Sequence, residues 1–188
     1  MTRPEALNIV RPLPLTVDDF FLLDRSGAFE GYGKTELING EIYFMNAQHR
    51  PHIMAKMDLF LALHDCLKKI YSKYRAVTEG TISASEHNAP EPDIILTSEA
   101  YGEGPIPLSS VGMIVEISDT TLQYDKMTKQ AVYADAGIPE YWLFDLKARI
   151  VHQMWSPEDG AYTQSRQFSA GEMITAETID ELTIRLPA

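Results

Sequence analysis

Apolar and polar positions alternate in three different rhythms along this chain, and each rhythm predicts an element. Residues 1–15 hold three prolines and no periodicity, which reads as an extended arm ahead of a single domain over 16–188. Thr16 is placed to cap a short helix, T-V-D-D-F-F-L-L, whose first turn carries two acids. The run E-L-I-N-G-E-I-Y-F-M sets Asn39-Gly40 between two short apolar stretches, a hairpin signal because both turn positions require positive φ. From Pro51 to Tyr74 apolar residues recur at spacings of three and four. Ile53, Met57, Phe60, His64 and Leu67 form one row, and Leu59, Leu63, Cys66 and Ile70 a parallel one, which predicts a long helix with a wide apolar face.

Beyond Tyr74 the period shortens. Ala76 to Ser83, Pro92 to Thr97 and Val111 to Ser118 read as strands, with a Gly/Pro-rich loop before the last. A helix from Tyr124 to Ala136 follows, with Gly137 as its left-handed cap and Pro139 just past it. Tyr141–Leu146, Ile150–Trp155 and Tyr162–Phe168 complete the strands, the last two joined by a turn through Pro157, Asp159 and Gly160. Asp119, Thr120 and Thr121 read as a turn and helix cap. This order predicts a mixed α/β domain around one central sheet.

The charge changes the picture twice. The net charge is −11, which argues against a polyanionic partner. Yet Arg50 to Arg75 holds six basic residues against two acidic ones, a local excess of +4 that leaves −15 for the remainder. A single cysteine, Cys66, excludes an internal disulfide framework and fits a reducing compartment. No stretch approaches the ~18 apolar residues of a membrane span, so the expectation is a cytoplasmic protein with no membrane association.

Among residues that could carry chemistry, Asp93 opens a β-branched strand and Glu116 lies within the apolar run M-I-V-E-I. A buried glutamate needs positive compensation, and two carboxylates on neighbouring strands can converge on one cation; Mg²⁺ suits such an oxygen-rich site. Helical spacing puts Asp125 and Lys129 on the face of Val132 and Tyr133, so Lys129 either points towards Glu116 or forms an ordinary surface pair with Asp125. G-Y-G-K-T lacks the first glycine of a phosphate-binding loop, having Ala28 in its place. His64 and Cys66 lack the partners of a zinc site.

The ordered set P-D-I-I-L, V-E-I-S-D-T-T and Y-D-K-M-T-K-Q-A-V-Y-A-D-A-G-I-P-E-Y-W-L-F-D resembles the Uma-type family of restriction endonucleases, a branch of the PD-(D/E)XK nuclease superfamily. With E-L-I-N-G-E-I-Y-F-M and the His-led helix, the resemblance spans about Thr16 to Trp155. It implies a restriction-endonuclease-like fold with a mixed central sheet flanked by helices. It also implies a metal-dependent endonuclease acting on nucleic acid, DNA in particular. Asp93 and Glu116, 23 residues apart, stand at the two acidic positions. With the Ile117 carbonyl they would hold Mg²⁺, for which Mn²⁺ could substitute. The superfamily lysine two residues after the glutamate is Ser118 here, and Lys129 matches the lysine that the Uma-type branch places in the following helix. Glu41 and His52 match family positions of the same cleft.

Two alternatives stand beside this reading: a catalytically weak nuclease fold that binds nucleic acid or protein, and a hydrolase of a small phosphate ester. A homodimer would suit two-strand cutting. The acidic balance implies weak, salt-sensitive, metal-dependent binding, with the Arg50–Arg75 stretch facing phosphate.

Overall fold

The computed structural model describes residues 11–45, 47–99, 101–119 and 122–187. Of the expected arm, residues 1–10 therefore lie outside the description, as do Thr120 and Thr121 of the expected cap, and Arg11–Leu15 carry no regular structure. Thr16 caps helix α1 (Val17–Arg25) through a reciprocal capping box with Asp19. Strands β1 (Thr35–Ile38) and β2 (Glu41–Phe44) form the expected hairpin, with φ of 53° at Asn39 and 77° at Gly40.

Helix α2 (Arg50–Lys69) begins with Pro51 in its first turn and stops five residues before the expected Tyr74. Its buried row is Ala55, Leu59, Leu63 and Leu67, whereas Ile53 and Met57 are 44% and 51% exposed. Phe60, Cys66 and Ile70 pack partly buried against the same core, so both predicted rows contribute and only the N-terminal end of the first stays in water.

Strands β3 (Arg75–Thr78) and β4 (Ile82–Ser83) replace the single strand expected over Ala76–Ser83. The break falls at Glu79, whose φ is 56°, and at Gly80, where a Cβ would meet Ile106 Cδ1 at 2.7 Å. Then come β5 (Ile94–Thr97), β6 (Ile106–Pro107) and β7 (Val111–Ser118). A continuous helical segment follows in three pieces: α3 (Leu122–Tyr124), a π-helical turn (Asp125–Lys129) and α4 (Gln130–Asp135). Gly137, at φ 70°, closes it as expected. Strands β8 (Glu140–Asp145), β9 (Ile150–Glu158) and β10 (Ala161–Ser169) form a meander, and Pro157 lies within β9, not in the turn. A small hairpin, β11 (Met173–Thr175) and β12 (Thr183–Arg185), ends the fold.

The central sheet has the order β10-β9-β8-β7-β5-β3, and only β7 and β8 run parallel. This is a mixed α/β fold with a mixed central sheet and helices on both faces. On one face Leu59, Leu63 and Leu67 of α2 meet Leu96, Val115 and Trp142, with Ile174 and Ile184 of the terminal hairpin. On the other, Ile95, Ile114 and Leu143 pack under Val132 and Tyr133 of α4. Strand alternation sends Glu116 to the α4 face with Ile114. Among the described residues no helix is long and apolar enough to cross a membrane.

Candidate active site

Register brings the two acids together. β5 and β7 are antiparallel with Ile94 opposite Val115, so Asp93, one residue before β5, comes opposite Glu116. The Asp93 N–H donates to Glu116 Oε2 at 3.3 Å, and the Ile117 N–H donates to Asp93 Oδ2 at 2.9 Å. Both carboxylates are 4% exposed.

Three elements close around them. From the first turn of α2, His52 Nε2 approaches Asp93 Oδ2 at 3.2 Å; one turn on, Lys56 Nζ lies 3.6 Å from Asp93 Oδ1. Lys56 also donates to Gln48 at 2.7 Å and to Glu79 at 2.6 Å. From the other face, Lys129 Nζ lies 2.9 Å from Glu116 Oε1, and the Tyr133 hydroxyl donates to the same oxygen at 2.6 Å. The third element is the β1–β2 hairpin, whose Glu36 Oε2 sits 3.0 Å from Lys129 Nζ. Lys129 is 1% exposed and Glu36 fully buried, so one ammonium bridges two buried carboxylates. Lys129 ends the π turn, in which the Gln130 N–H reaches back to the Asp125 carbonyl. Such a turn rotates the residues at its two ends relative to a regular helix, and it buries both Asp125 and Lys129.

The electrostatics follow from this packing. Glu36, Asp93, Glu116 and Asp125 are buried carboxylates, whereas Lys56 and Lys129 are the buried ammonium groups of the cluster. Negative charge is in excess. Burial pushes the Glu116 carboxyl up to about 7, against the pull of Lys129, and the charges of Asp93 and Asp125 add to the rise. Burial acts the same way on Asp93, but His52, Lys34 and the Ile117 N–H outweigh it and hold that carboxyl below the usual range. Burial disfavours the Lys129 cation, yet Glu116, Glu36 and Asp125 more than offset this, so Lys129 stays protonated.

These groups line a cavity of about 600 Å³ that includes His52, Asp93, Glu116, Ile117, Asp125 and Lys129. Three buried polar atoms around it, Glu36 Oε1, His52 Nδ1 and the Tyr124 hydroxyl oxygen, have no hydrogen-bond partner among the described residues. Excess buried carboxylate and a hard-oxygen donor set fit a divalent cation of the Mg²⁺ type. Among the described residues no three His, Cys, Asp or Glu side chains surround one point. A cation here would therefore be held by Asp93, Glu116, main chain and water.

Of the sequence-derived candidates, Asp93, Glu116, Ile117, Lys129 and His52 come together. Glu41 does not join them: it is exposed at the start of β2 and accepts from the Tyr43 hydroxyl at 2.8 Å. The hairpin carboxylate that reaches the lysine is Glu36, which pairs across the hairpin with Tyr43. Cross-strand partners share a face, so Glu36 and Glu41 point the same way, but Glu41 stands two residues nearer the turn, where its side chain is exposed. The signal for Glu36 was its place in a strand directly before the apolar pair Leu37-Ile38. The basic stretch divides: Lys56 enters the site, whereas Lys68 and Lys69 sit at the far end of a helix about 30 Å long.

Comparison with known proteins gives three results. The Uma2 family model, described as "Putative restriction endonuclease", matches residues 17–187. No curated protein matches. Among solved structures, one described as a putative nuclease belonging to DUF820, from Anabaena variabilis ATCC 29413, superposes with a TM-score of 0.69 at 18% identity. The match covers 92% of this chain and 96% of that one.

Proposed function

We infer that this chain, which belongs to the Uma2 family of putative restriction endonucleases, is a Mg²⁺-dependent endonuclease that hydrolyses phosphodiester bonds of DNA. The observation that carries this reading is the convergence of Asp93, Glu116 and Lys129 on one cavity, with Lys129 Nζ 2.9 Å from Glu116.

In this reading Asp93, Glu116 and the Ile117 carbonyl hold the cation, with Mn²⁺ as a substitute. When bound, the divalent ion supplies a Lewis acid that acidifies water and neutralises phosphate charge. The chain's own residues do the rest. The Ile117 N–H and His52 orient the Asp93 carboxylate from two sides. Lysine has three N–H donors; Glu36 and Glu116 engage Lys129, and its remaining donor serves the phosphate oxygen on which charge develops. A lysine held in its charged form acts as an electrostatic stabiliser and not as the base. Its place between two carboxylates offsets the displacement from the superfamily position, where Ser118 stands.

Titration of Mg²⁺ and Mn²⁺ against supercoiled plasmid tests the reading. Nicking that requires the cation and disappears in Asp93→Ala and Lys129→Ala is the expected result; unchanged cleavage in both variants would sink it. Binding without nicking would point to a nucleic-acid binding module. Hydrolysis of a small phosphodiester alone would point to a different hydrolase.

A further inference from the structure

We propose that a second cavity beside the carboxylates is a stacking site for an unpaired nucleobase, so that the chain prefers single-stranded nucleic acid to duplex. The proposal rests on the endonuclease reading above and names the form of nucleic acid that the site takes.

The second cavity, of about 530 Å³, shares Lys34, Phe44, Met45 and Gln48 with the first, so the two are continuous along the end of β2. Tyr32 and Phe44 form its aromatic wall, with ring centroids 5.4 Å apart and planes inclined at 56°. They are 57% and 60% exposed. Two large aromatics that touch and still stand more than half in water leave a π face uncovered. Tyr32 is held in a Gly-Tyr-Gly turn, and Phe44 ends β2 opposite Thr35. The neighbouring Tyr43, which lines only the first cavity, approaches Tyr124 at 5.4 Å. The end of the hairpin therefore carries aromatic surface from the carboxylates out into the second cavity.

Charge and position select the occupant. The carboxylates of the second cavity are each met by a lysine: Glu79 by Lys56 at 2.6 Å, Glu91 by Lys34 at 3.8 Å. Lys34 lies on the wall common to both cavities, where a phosphate would link a base on the platform to the scissile bond. A chain of net charge −11 draws little affinity from phosphate contacts. Base–aromatic stacking supplies affinity that depends on neither charge nor sequence. A base within duplex is already stacked and paired, and its faces are unavailable unless it is extruded. The platform therefore selects unpaired segments.

Fluorescence anisotropy with a labelled oligothymidylate of about twelve nucleotides and a hairpin duplex, in Ca²⁺ buffer, tests this. Wild type should bind the single strand more tightly than the duplex. Phe44→Ala and Tyr32→Ala should each weaken single-strand binding by about 5- to 150-fold, whereas Phe44→Trp should retain it. Because stacking releases no counterions, the salt dependence of binding should keep its slope, and exposure of both rings predicts an unchanged melting temperature. Equal affinity of the alanine variants, equal or tighter duplex binding, no binding of either probe, or a changed salt slope would each overturn the stacking site. Plasmid nicking separates the two claims. A wild type that nicks with Mg²⁺ while the alanine variants bind normally keeps the endonuclease and removes the platform; stacking-dependent binding without any cleavage does the reverse.

Discussion

Replacing Lys129 with methionine isolates what the bridging cation contributes. The ammonium is 1% exposed and lies 2.9 Å from Glu116 and 3.0 Å from Glu36. At an effective dielectric of about 20, each contact is worth roughly 6 kcal/mol of gross Coulomb attraction, most of it offset by desolvation. Removing one partner of such a buried cluster costs about 3–5 kcal/mol, because uncompensated charge stays inside. For a domain of this size each kcal/mol moves the melting point by about 2–4 °C, so the variant should melt roughly 6–20 °C below wild type. Its loss should grow with pH. Without the lysine, the already raised Glu116 carboxyl rises further in the folded state, which binds a proton that the unfolded chain has released. The stability it retains is present below the unfolded carboxyl pKa and is lost as pH rises through the elevated folded value. Urea unfolding in EDTA at several pH values, followed by the fluorescence of buried Trp142, measures this. Lys129→Met combined with Glu36→Gln should recover part of the loss, since one orphaned charge has gone. A loss below about 1 kcal/mol, or one that does not change with pH, would refute the reasoning.

Other consequences follow from particular contacts. Gly40→Ala should destabilise the protein by about 1–3 kcal/mol in urea unfolding, because the site has φ 77° and an added Cβ would stand 2.5 Å from Pro14 Cβ. Glu140 accepts from Trp142, Gln153, the Glu177 and Thr178 N–H groups and the Thr178 hydroxyl. Glu140→Leu strands these donors and should cost about 3 kcal/mol or more, while leaving cation affinity measured by calorimetry unchanged. His152 is held below its ordinary pKa, first by burial and then by Lys126. A group with a depressed folded pKa stabilises the fold above its unfolded value and loses that contribution as pH falls. Acid titration by NMR should place His152 below a free histidine, and His152→Gln should flatten the fall in stability between neutral and mildly acidic pH.

Much of the architecture was legible because local chemistry dictated it. Asn39-Gly40 permits the two positive φ angles that a two-residue hairpin needs, and the run V-G-M-I-V-E-I-S forms β7 at its expected bounds. Where prediction and structure differ, longer-range contacts decided. Ala76–Ser83 has strand composition throughout, but Gly80 packs against Ile106, and the strand breaks there. Ile53 and Met57, at the N-terminal end of one α2 row, have the right spacing for burial and are left in water, whereas Phe60 and Leu67 further along that row pack into the core. Glu140, inside the family-like segment G-I-P-E-Y-W, ties β8 to the C-terminal residues, which no local pattern announces.

The candidate site divides along the same line. Sequence alone picked out Asp93 and Glu116, because an acid within a strand of otherwise buried apolar residues is costly enough to need a reason. It put Lys129 on the face of Val132 and Tyr133, with a surface pair to Asp125 left open, and the family resemblance alone favoured the site. Between Glu36 and Glu41 it favoured Glu41 on the family match alone, because both flank one turn and point to one face, which leaves local pattern no means of choice. Only the packing of the hairpin against the helical segment made that choice, by setting Glu36 against Lys129 and leaving Glu41 in solvent. Periodicity acts over a few residues and so determines elements and their faces; which faces meet, and hence which charges share a buried cavity, depends on contacts between segments 13 to 93 residues apart in the chain.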